Sequence, residues 1–449
     1  MIPAKSYDDL VSVFHEAEKP QGPNLIGTEM EKPGVFADGR PISYSSEISK
    51  IFEALAAKSS WTRIREQDDR PVIALERTLS SGLTASITLE PGSQFELSGA
   101  PLANMHETDA ELREHMQELE TISKELGIHW LGIGFHPYSK REDFEWVPKL
   151  RYGIMQSYLP TRGQLAQDMM LRTSTVQANF DFASEADAMR KMAVSLRISP
   201  IITGLFANSP FYEGKPFGGV SYRAKVWLEV DPDRSGLLPT MWKKDASYRD
   251  YVEWALDVPM FMFKRGDKVF HNTGQRFREF YESGFEGERA TMGDWQTHLN
   301  TLFPEIRLKR TLEVRGADSQ NLTFATALPA IWTGIVYDEQ ALEACSRLCL
   351  EWTYDEVNAL RDIVWKDGPR TMFKGRSVAA WGKDLLELAM AGLSRRNFLK
   401  DGRGEGMYLE PLQRLVEQSK CPADILLEKT AGKTFSSATA PEWNRLLAV

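Results

Sequence analysis

Two acids one residue apart, Glu29 and Glu31, stand in Gly27-Thr28-Glu29-Met30-Glu31, just after an approach broken by Pro20, Gly22 and Pro23. In a strand, the period of two sets both carboxylates on one face and Met30 on the other. Like charges that close repel by roughly 1 kcal/mol in water and several times more in a partly dry cleft. Two readings fit: a solvated strand edge, or a ligand pair whose repulsion a divalent cation offsets. The pattern recurs elsewhere. Gln94, Glu96 and Ser98 alternate with Phe95 and Leu97 after the Pro91-Gly92 turn, and Glu313 and Arg315 flank Val314. The clearest alternation sets Thr175, Gln177, Asn179 and Asp181 against Val176, Ala178, Phe180 and Phe182. If these four strands share a sheet, its apolar face packs on helices and its other face is a trough lined with acids.

Carboxylate and amide oxygens without a Cys or His cluster suit Mg²⁺ or Mn²⁺ rather than zinc, and Mg²⁺ commonly arrives with nucleotide phosphates. The seven histidines show no ligand spacing. Arginine supplies the complementary charge, since its planar fork recognises phosphate and carboxylate alike. Arg315 shares a face with Glu313, a pairing that fits either phosphoryl transfer or a local ion pair. Arg151, Arg172 and Arg223 are further candidates. No Walker A loop or kinase motif is present, so a nucleotide here is not held in a P-loop.

Around these strands the chain must build a core, and 449 residues with 42% hydrophobic content suffice for a large one. The 54 basic and 63 acidic residues leave a net charge of −9, which argues against a nucleic-acid partner. No run of eighteen apolar residues predicts a membrane span, and the amino terminus lacks the features of a signal or transit peptide, so a cytoplasmic protein is expected. Cys345, Cys349 and Cys421 are too few for a disulfide framework, which suits a reducing compartment; the first two read as packing residues of a helix.

Periodicity predicts helices over 5–18, 45–58 and 109–126, the last ended by Gly127, and a helix beginning at Ser184-Glu185-Ala186-Asp187. Further strands are predicted over Val72 to Leu75, Ser86 to Leu89, His129 to Phe135 and Tyr222 to Val230. Gly- and Pro-rich stretches at 206–239 and 266–294 read as loops, the first as a functional covering segment. From about residue 325 to 449 the text is mainly helical. No linker divides it, so a single catalytic domain over 1–449 is expected.

The motifs then fall into a known order. Leu25-Ile26-Gly27-Thr28-Glu29-Met30-Glu31-Lys32, Leu89-Glu90-Pro91-Gly92-Ser93-Gln94-Phe95-Glu96-Leu97-Ser98-Gly99-Ala100-Pro101, Asp168-Met169-Met170-Leu171-Arg172-Thr173, Phe206-Ala207-Asn208-Ser209-Pro210-Phe211 and Phe303-Pro304-Glu305-Ile306-Arg307-Leu308-Lys309-Arg310 followed by Leu312-Glu313-Val314-Arg315-Gly316-Ala317-Asp318 resemble the plant and proteobacterial type of glutamate–cysteine ligase. The resemblance runs from about residue 20 to 430. It implies an α+β fold similar to glutamine synthetase, with a curved antiparallel sheet holding Mg²⁺ (or Mn²⁺) and ATP on its concave face and helices outside. It also implies ATP-dependent joining of L-glutamate to L-cysteine through a γ-glutamyl phosphate, the first step of glutathione synthesis, by a monomer or homodimer. Carried over, the metal ligands are Glu29, Glu31, Glu96, Gln177 and Glu313, and the catalytic residues Arg315 and Glu313. Arg315 and Arg310 bind the nucleotide; Arg151, Arg223, Asn179 and Phe261 bind substrate, with Glu90 a further candidate.

Several positions depart from the family pattern. Met30 replaces a usual His, Pro33-Gly34-Val35 a Phe-Gly pattern, Gly153 an Asp, and Phe261 a substrate-site Tyr. Asp109 occupies the place of a cysteine in the plant members' regulatory disulfide, so that switch is not expected. Gly153 and Phe261 raise the alternative of a paralogue with another amine acceptor. A catalytically silent binding homologue is the third reading, which the retained acids oppose.

Overall fold

A computed structural model describes residues 2–58 and 60–449. Its centre is an eight-stranded sheet: β1 Ile26–Lys32, β2 Thr62–Arg65, β3 Val72–Thr78, β4 Thr84–Leu89, β5 Phe95–Ser98, β6 Val176–Phe180, β7 Ile306–Leu308 and β8 Leu312–Val314. The spatial order is β7-β8-β6-β1-β5-β4-β3-β2, and every neighbouring pair is antiparallel. The four strands singled out by their polar faces thus lie side by side at its middle. Register completes the alignment: Glu29 stands opposite Gln177 on one side and Ser98 on the other, Glu31 opposite Glu96, and Asn179 between Gly27 and Glu313.

The alternate residues Met30, Leu97, Val176, Ala178, Leu312 and Val314 are buried in the core. Helices Met105–Leu126, Glu185–Leu205 and Leu322–Val336 pack against the sheet. Leu322–Val336 is apolar all round and almost wholly buried, as a helix enclosed by sheet and helices must be. Met105–Leu126 begins four residues before its predicted start because Asn104 Oδ1 accepts from the amides of His106 and Glu107, and it ends at Gly127 in the left-handed region, φ 69°. Ser184 caps Glu185–Leu205 in the same way. Beyond Leu322 the chain is mainly helical, with two short two-stranded ladders. No helix of the described residues is long and apolar enough to cross a membrane.

Three expectations are corrected. Tyr222 to Val230 is not a strand: Tyr222–Trp227 is a helix, started by Ser221, whose Oγ accepts from the Ala224 amide at 3.0 Å. The side-chain alternation there suited a strand, but the serine cap satisfies a helical amide and decides the local form. His129 to Phe135 contributes only Ile128–Trp130, which pairs with Gly34–Phe36 outside the main sheet. The stretch read as loop at 266–294 contains the helix Phe277–Ser283.

Candidate active site

Over the polar face lies a trough of about 330 Å³. One side carries Glu29, Glu31, Glu90 and Glu96, the other Arg307, Lys309 and Arg315, with Lys149, Arg151 and Arg223 around them. Strand geometry places most of these groups, since β1, β5 and β6 each turn every second side chain into the space. The Pro91-Gly92 turn fixes the β5 end. A Cβ on Gly92 would lie 2.3 Å from the Leu171 carbonyl oxygen, so only glycine lets this turn rest on the helix Ala166–Arg172. Gln94, expected on the trough face, secures that contact instead by donating from Nε2 to the carbonyls of Met170 (3.1 Å) and Thr173 (2.8 Å).

On the acid side the hydrogen-bond partners are neutral. Glu29 Oε1 accepts from Asn179 Nδ2 at 2.9 Å, Glu31 Oε2 from the Thr175 amide at 3.0 Å, and Glu96 from Ser98 Oγ at 2.9 Å and from Thr88 Oγ1. Burial, reinforced by the Glu313 and Glu96 charges, pushes Glu29 up to about 7. Burial with Glu90 and Glu96 alongside holds Glu31 well above the carboxylate range, and burial with Glu90 raises Glu96. Such crowded acids keep their charges cheaply only beside a cation.

Glu313 has the opposite surroundings. It is fully buried, does not line the trough, and both oxygens are engaged: Arg307 donates from Nε at 2.6 Å and Nη2 at 2.8 Å, Arg315 Nη1 at 2.7 Å, and Lys309 Nζ lies 3.2 Å away. Burial alone would raise its pKa, but Arg307, Lys309 and Arg315 together hold it well below the usual range. Glu313, expected as a metal ligand, thus engages three cations of the trough wall in this structure. Arg315 Nη1 also donates to Gln177 Oε1 at 2.9 Å, tying the acid and cation sides together.

Arg223 reaches the trough from its helix. Its Nη1 and Nη2 donate to the carbonyls of Gly316 (3.1 Å) and Arg315 (3.0 Å), while Nε has no partner. Asp318 steadies this corner by accepting from Asn208 N, Ser209 Oγ and Ser221 Oγ at 2.7 to 2.9 Å. Of the segment 206–239, expected to cover the site, Asn208, Ser209 and Ser221 are pinned through these contacts, and Arg223 and Trp227 line the trough.

Of the candidates, Glu29, Glu31, Glu90, Glu96, Gln177, Arg151, Arg223 and Arg315 meet in the trough. Asn179 sits just outside it, between Glu29 and Thr311 Oγ1. Phe261 does not meet them: it is buried under the Arg234 guanidinium, 4.2 Å away, and against Tyr158. Arg310 is exposed on the β7–β8 turn, where the hairpin register points Arg307 and Lys309 inward instead. Arg172 is a core residue, paired with Asp168 at 2.9 Å between Phe135 and Tyr212. Lys149, Arg307 and Lys309 were missed. The last two had a signal, because Arg307-Leu308-Lys309 alternates toward the same face as Glu313 across a short turn. Lys149 had none; it donates to the Leu89 carbonyl at 2.8 Å, and burial lowers it to about 8.

A trough of this kind invites comparison with known proteins, and the family model described as glutamate-cysteine ligase family 2 (GCS2) matches residues 25–444. The chain belongs to this family. A chloroplastic glutamate–cysteine ligase of Medicago truncatula is 42% identical over 95% of this chain and 82% of its own length. One from Arabidopsis thaliana is 40% identical over 98% and 82%, and ligase A of Oryza sativa subsp. indica 42% over 94% and 84%. Among solved structures, glutamate–cysteine ligase of Francisella tularensis in complex with AMP aligns over 96% of this chain and 89% of its own, with a TM-score of 0.56 at 14% identity. That likeness supports the α+β fold with its large antiparallel sheet.

Within the family frame the departures can be placed. Met30 is fully buried on the core face. Gly153 is exposed, with open space where a Cβ would stand, and neither it nor Phe261 lines the trough. Asp109 is buried, accepting from Arg113 Nε at 2.8 Å and Thr326 Oγ1 at 3.0 Å.

Proposed function

We propose that this chain joins the γ-carboxylate of L-glutamate to the amine of L-cysteine with hydrolysis of ATP to ADP and phosphate, forming γ-glutamylcysteine for glutathione synthesis. The observation that carries the reading is the single trough in which Glu29, Glu31 and Glu96 face Arg307, Lys309 and Arg315. Its donor set fits Mg²⁺. The acids are hard oxygen ligands with raised pKa values, and Gln177 adds a neutral oxygen. Among the described residues no cluster of three or more His, Cys, Asp and Glu is placed to hold a metal by itself, and Mg²⁺ is ordinarily held by one or two carboxylates together with substrate phosphates. When bound, Mg²⁺ offsets charge gathering on those oxygens.

The chain's own groups do the rest. A glutamate γ-carboxylate oxygen bonds to the γ-phosphorus of ATP as the bond to the bridging oxygen breaks, releasing ADP. Arg307, Lys309 and Arg315 neutralise the transferred phosphoryl group, held in place by Glu313. Arg223 and Arg151 fit the carboxylate of the amino-acid substrate. The cysteine amine then bonds to the γ-carbonyl carbon, the carbon–oxygen bond breaks toward phosphate, and the nitrogen loses a proton. Cysteine is favoured over another acceptor because Met30, Gly153 and Phe261 all lie off the trough. Three unpaired, buried thiols suit a reducing compartment such as the cytoplasm.

ADP release that requires both glutamate and cysteine is the expected result. An amine panel reports the acceptor directly: strong preference for another amine replaces cysteine, and no ADP with any amine removes the ligase reading.

A further inference from the structure

Arg223, Trp227, Phe303 and Arg315 form one wall of the trough, and the same four residues line a second chamber of about 30 Å³ behind it. Glu305, Arg361 and Val364 also bound this chamber. Arg361 and Trp227 in turn line an outer groove of about 550 Å³. Trough, chamber and groove therefore follow one another, each sharing wall residues with the next. The partition between the last two is an ion pair, Arg361 Nε donating to Glu305 Oε1 at 2.8 Å, braced by Arg361 Nη2 on the Trp227 carbonyl at 3.2 Å.

The passage is built for an acceptor of hydrogen bonds. Arg223 Nε and Trp227 Nε1 are buried N–H groups without partners, and Arg223 is only 4% exposed. Buried donors left so are costly unless something with oxygen atoms visits them. Arginines mark the whole route: Arg223 and Arg315 at the inner wall, Arg361 at the partition, Arg276 in the groove. The acids of the groove already hold cations, Asp231 with Arg234 (2.7 Å), Asp257 with Arg278 (2.8 Å) and Asp233 with Arg162.

We propose that inorganic phosphate leaves the trough through this chamber, past the Arg361–Glu305 pair, into the outer groove. The proposal rests on the ligase reading, because only that reaction frees phosphate beside Arg315. There the anion lies between ADP and the peptide product, and a rear exit frees it without moving either. Arg315 hands it to Arg361, whose guanidinium exchanges the Glu305 carboxylate for the phosphate as it passes. The chamber is large enough for water as it stands, so the transit of phosphate opens this pair.

Ala224 and Val364 line the chamber alone, not the trough or the groove. Ala224→Leu and Val364→Phe should plug it. Acid-quenched total phosphate and free phosphate, the latter read by a fluorescent phosphate-binding protein, are followed through the first turnovers with glutamate, cysteine and ATP. In the wild type the two traces should coincide. In the plugged variants total phosphate should rise in a burst of about one per site, with free phosphate lagging roughly tenfold. Half-buried Ala224 guards against the fully buried Val364 variant failing to fold. Free phosphate that keeps pace with total phosphate in a folded variant overturns the exit route and leaves the ligase reading intact. A wild type that forms no phosphate at all overturns the ligase reading itself.

Discussion

Glu29 and Glu313 are the same residue type on the same face of one sheet, with strand β6 between them, yet they stand in opposite electrostatic states. Glu29 hydrogen-bonds only an amide, and burial with the Glu313 and Glu96 charges pushes it up to about 7 against the weaker pull of Lys309 and Arg307; Glu313 is gripped directly by Arg307, Lys309 and Arg315 and is held well below the carboxylate range. Loss of solvent raises both, and Glu313 is the more deeply buried of the two, so burial cannot be what lowers it. The neighbours separate them. A carboxylate whose direct partner is neutral keeps an oxygen open, which fits it to receive Mg²⁺. One already gripped by three cations arranges those cations for something else.

The largest effect should come from breaking the demand side. Replacing Glu31 and Glu96 together by Gln is expected to lower turnover by about a thousandfold or more and to abolish stabilisation by Mg²⁺. Thermal melts with and without the ion, beside ADP-release rates, check both parts; turnover within tenfold of wild type would remove these acids from the site.

Next in size is a difference of sign. Glu313→Gln leaves three cations facing one another in a buried site and should cost about 3 kcal/mol or more of stability. Glu29→Gln relieves an acid crowded by Glu313 and Glu96 and should leave the Mg²⁺-free protein as stable or slightly more so. Denaturant melts of the two variants side by side decide the matter, and equal losses would end the contrast.

A pH series sharpens the same comparison. Because the folded pKa of Glu29, about 7, exceeds its ordinary 4.5, the folded chain holds the extra proton between those values. Its contribution is therefore greatest near pH 4.5 and is lost as the pH rises to about 7, by at most about 3 kcal/mol. Mg²⁺ competes with that proton, so the melting-temperature gain on adding the ion should be larger at pH 8 than at pH 6; a gain independent of pH would contradict the acid cluster as its site. The smallest effects are expected from Arg310→Ala and Phe261→Tyr, each within about twofold of wild-type turnover, because both side chains lie off the trough.

Much of this was legible before any tertiary structure. Glu29, Glu31, Glu96, Gln177 and Arg315 converge because a strand's period of two makes the face of each side chain a local property. The helix Met105–Leu126 was readable for a similar reason, with its apolar period and its closing glycine both written in neighbouring residues. Tyr222–Trp227 was misread where a serine cap outweighed an alternation that looked like a strand. Phe261 and Arg310 carried expectations that depend on distant packing. Only the fold shows that one lies beneath Arg234 and that the other is turned outward by the β7–β8 hairpin.

By itself the sequence determined which residues share polar strand faces, roughly where several helices lie, and, through its ordered motifs, the family to which the chain belongs. Those are consequences of spacing and of side-chain type. Tertiary structure alone decided that four separated strands lie adjacent, that Lys149 and Arg223 reach the same trough from elsewhere in the chain, and that Glu29 hydrogen-bonds an amide while Glu313 makes three ion pairs. Charge state in a buried site is set by atoms a few ångströms away in space, and sequence distance does not encode that neighbourhood.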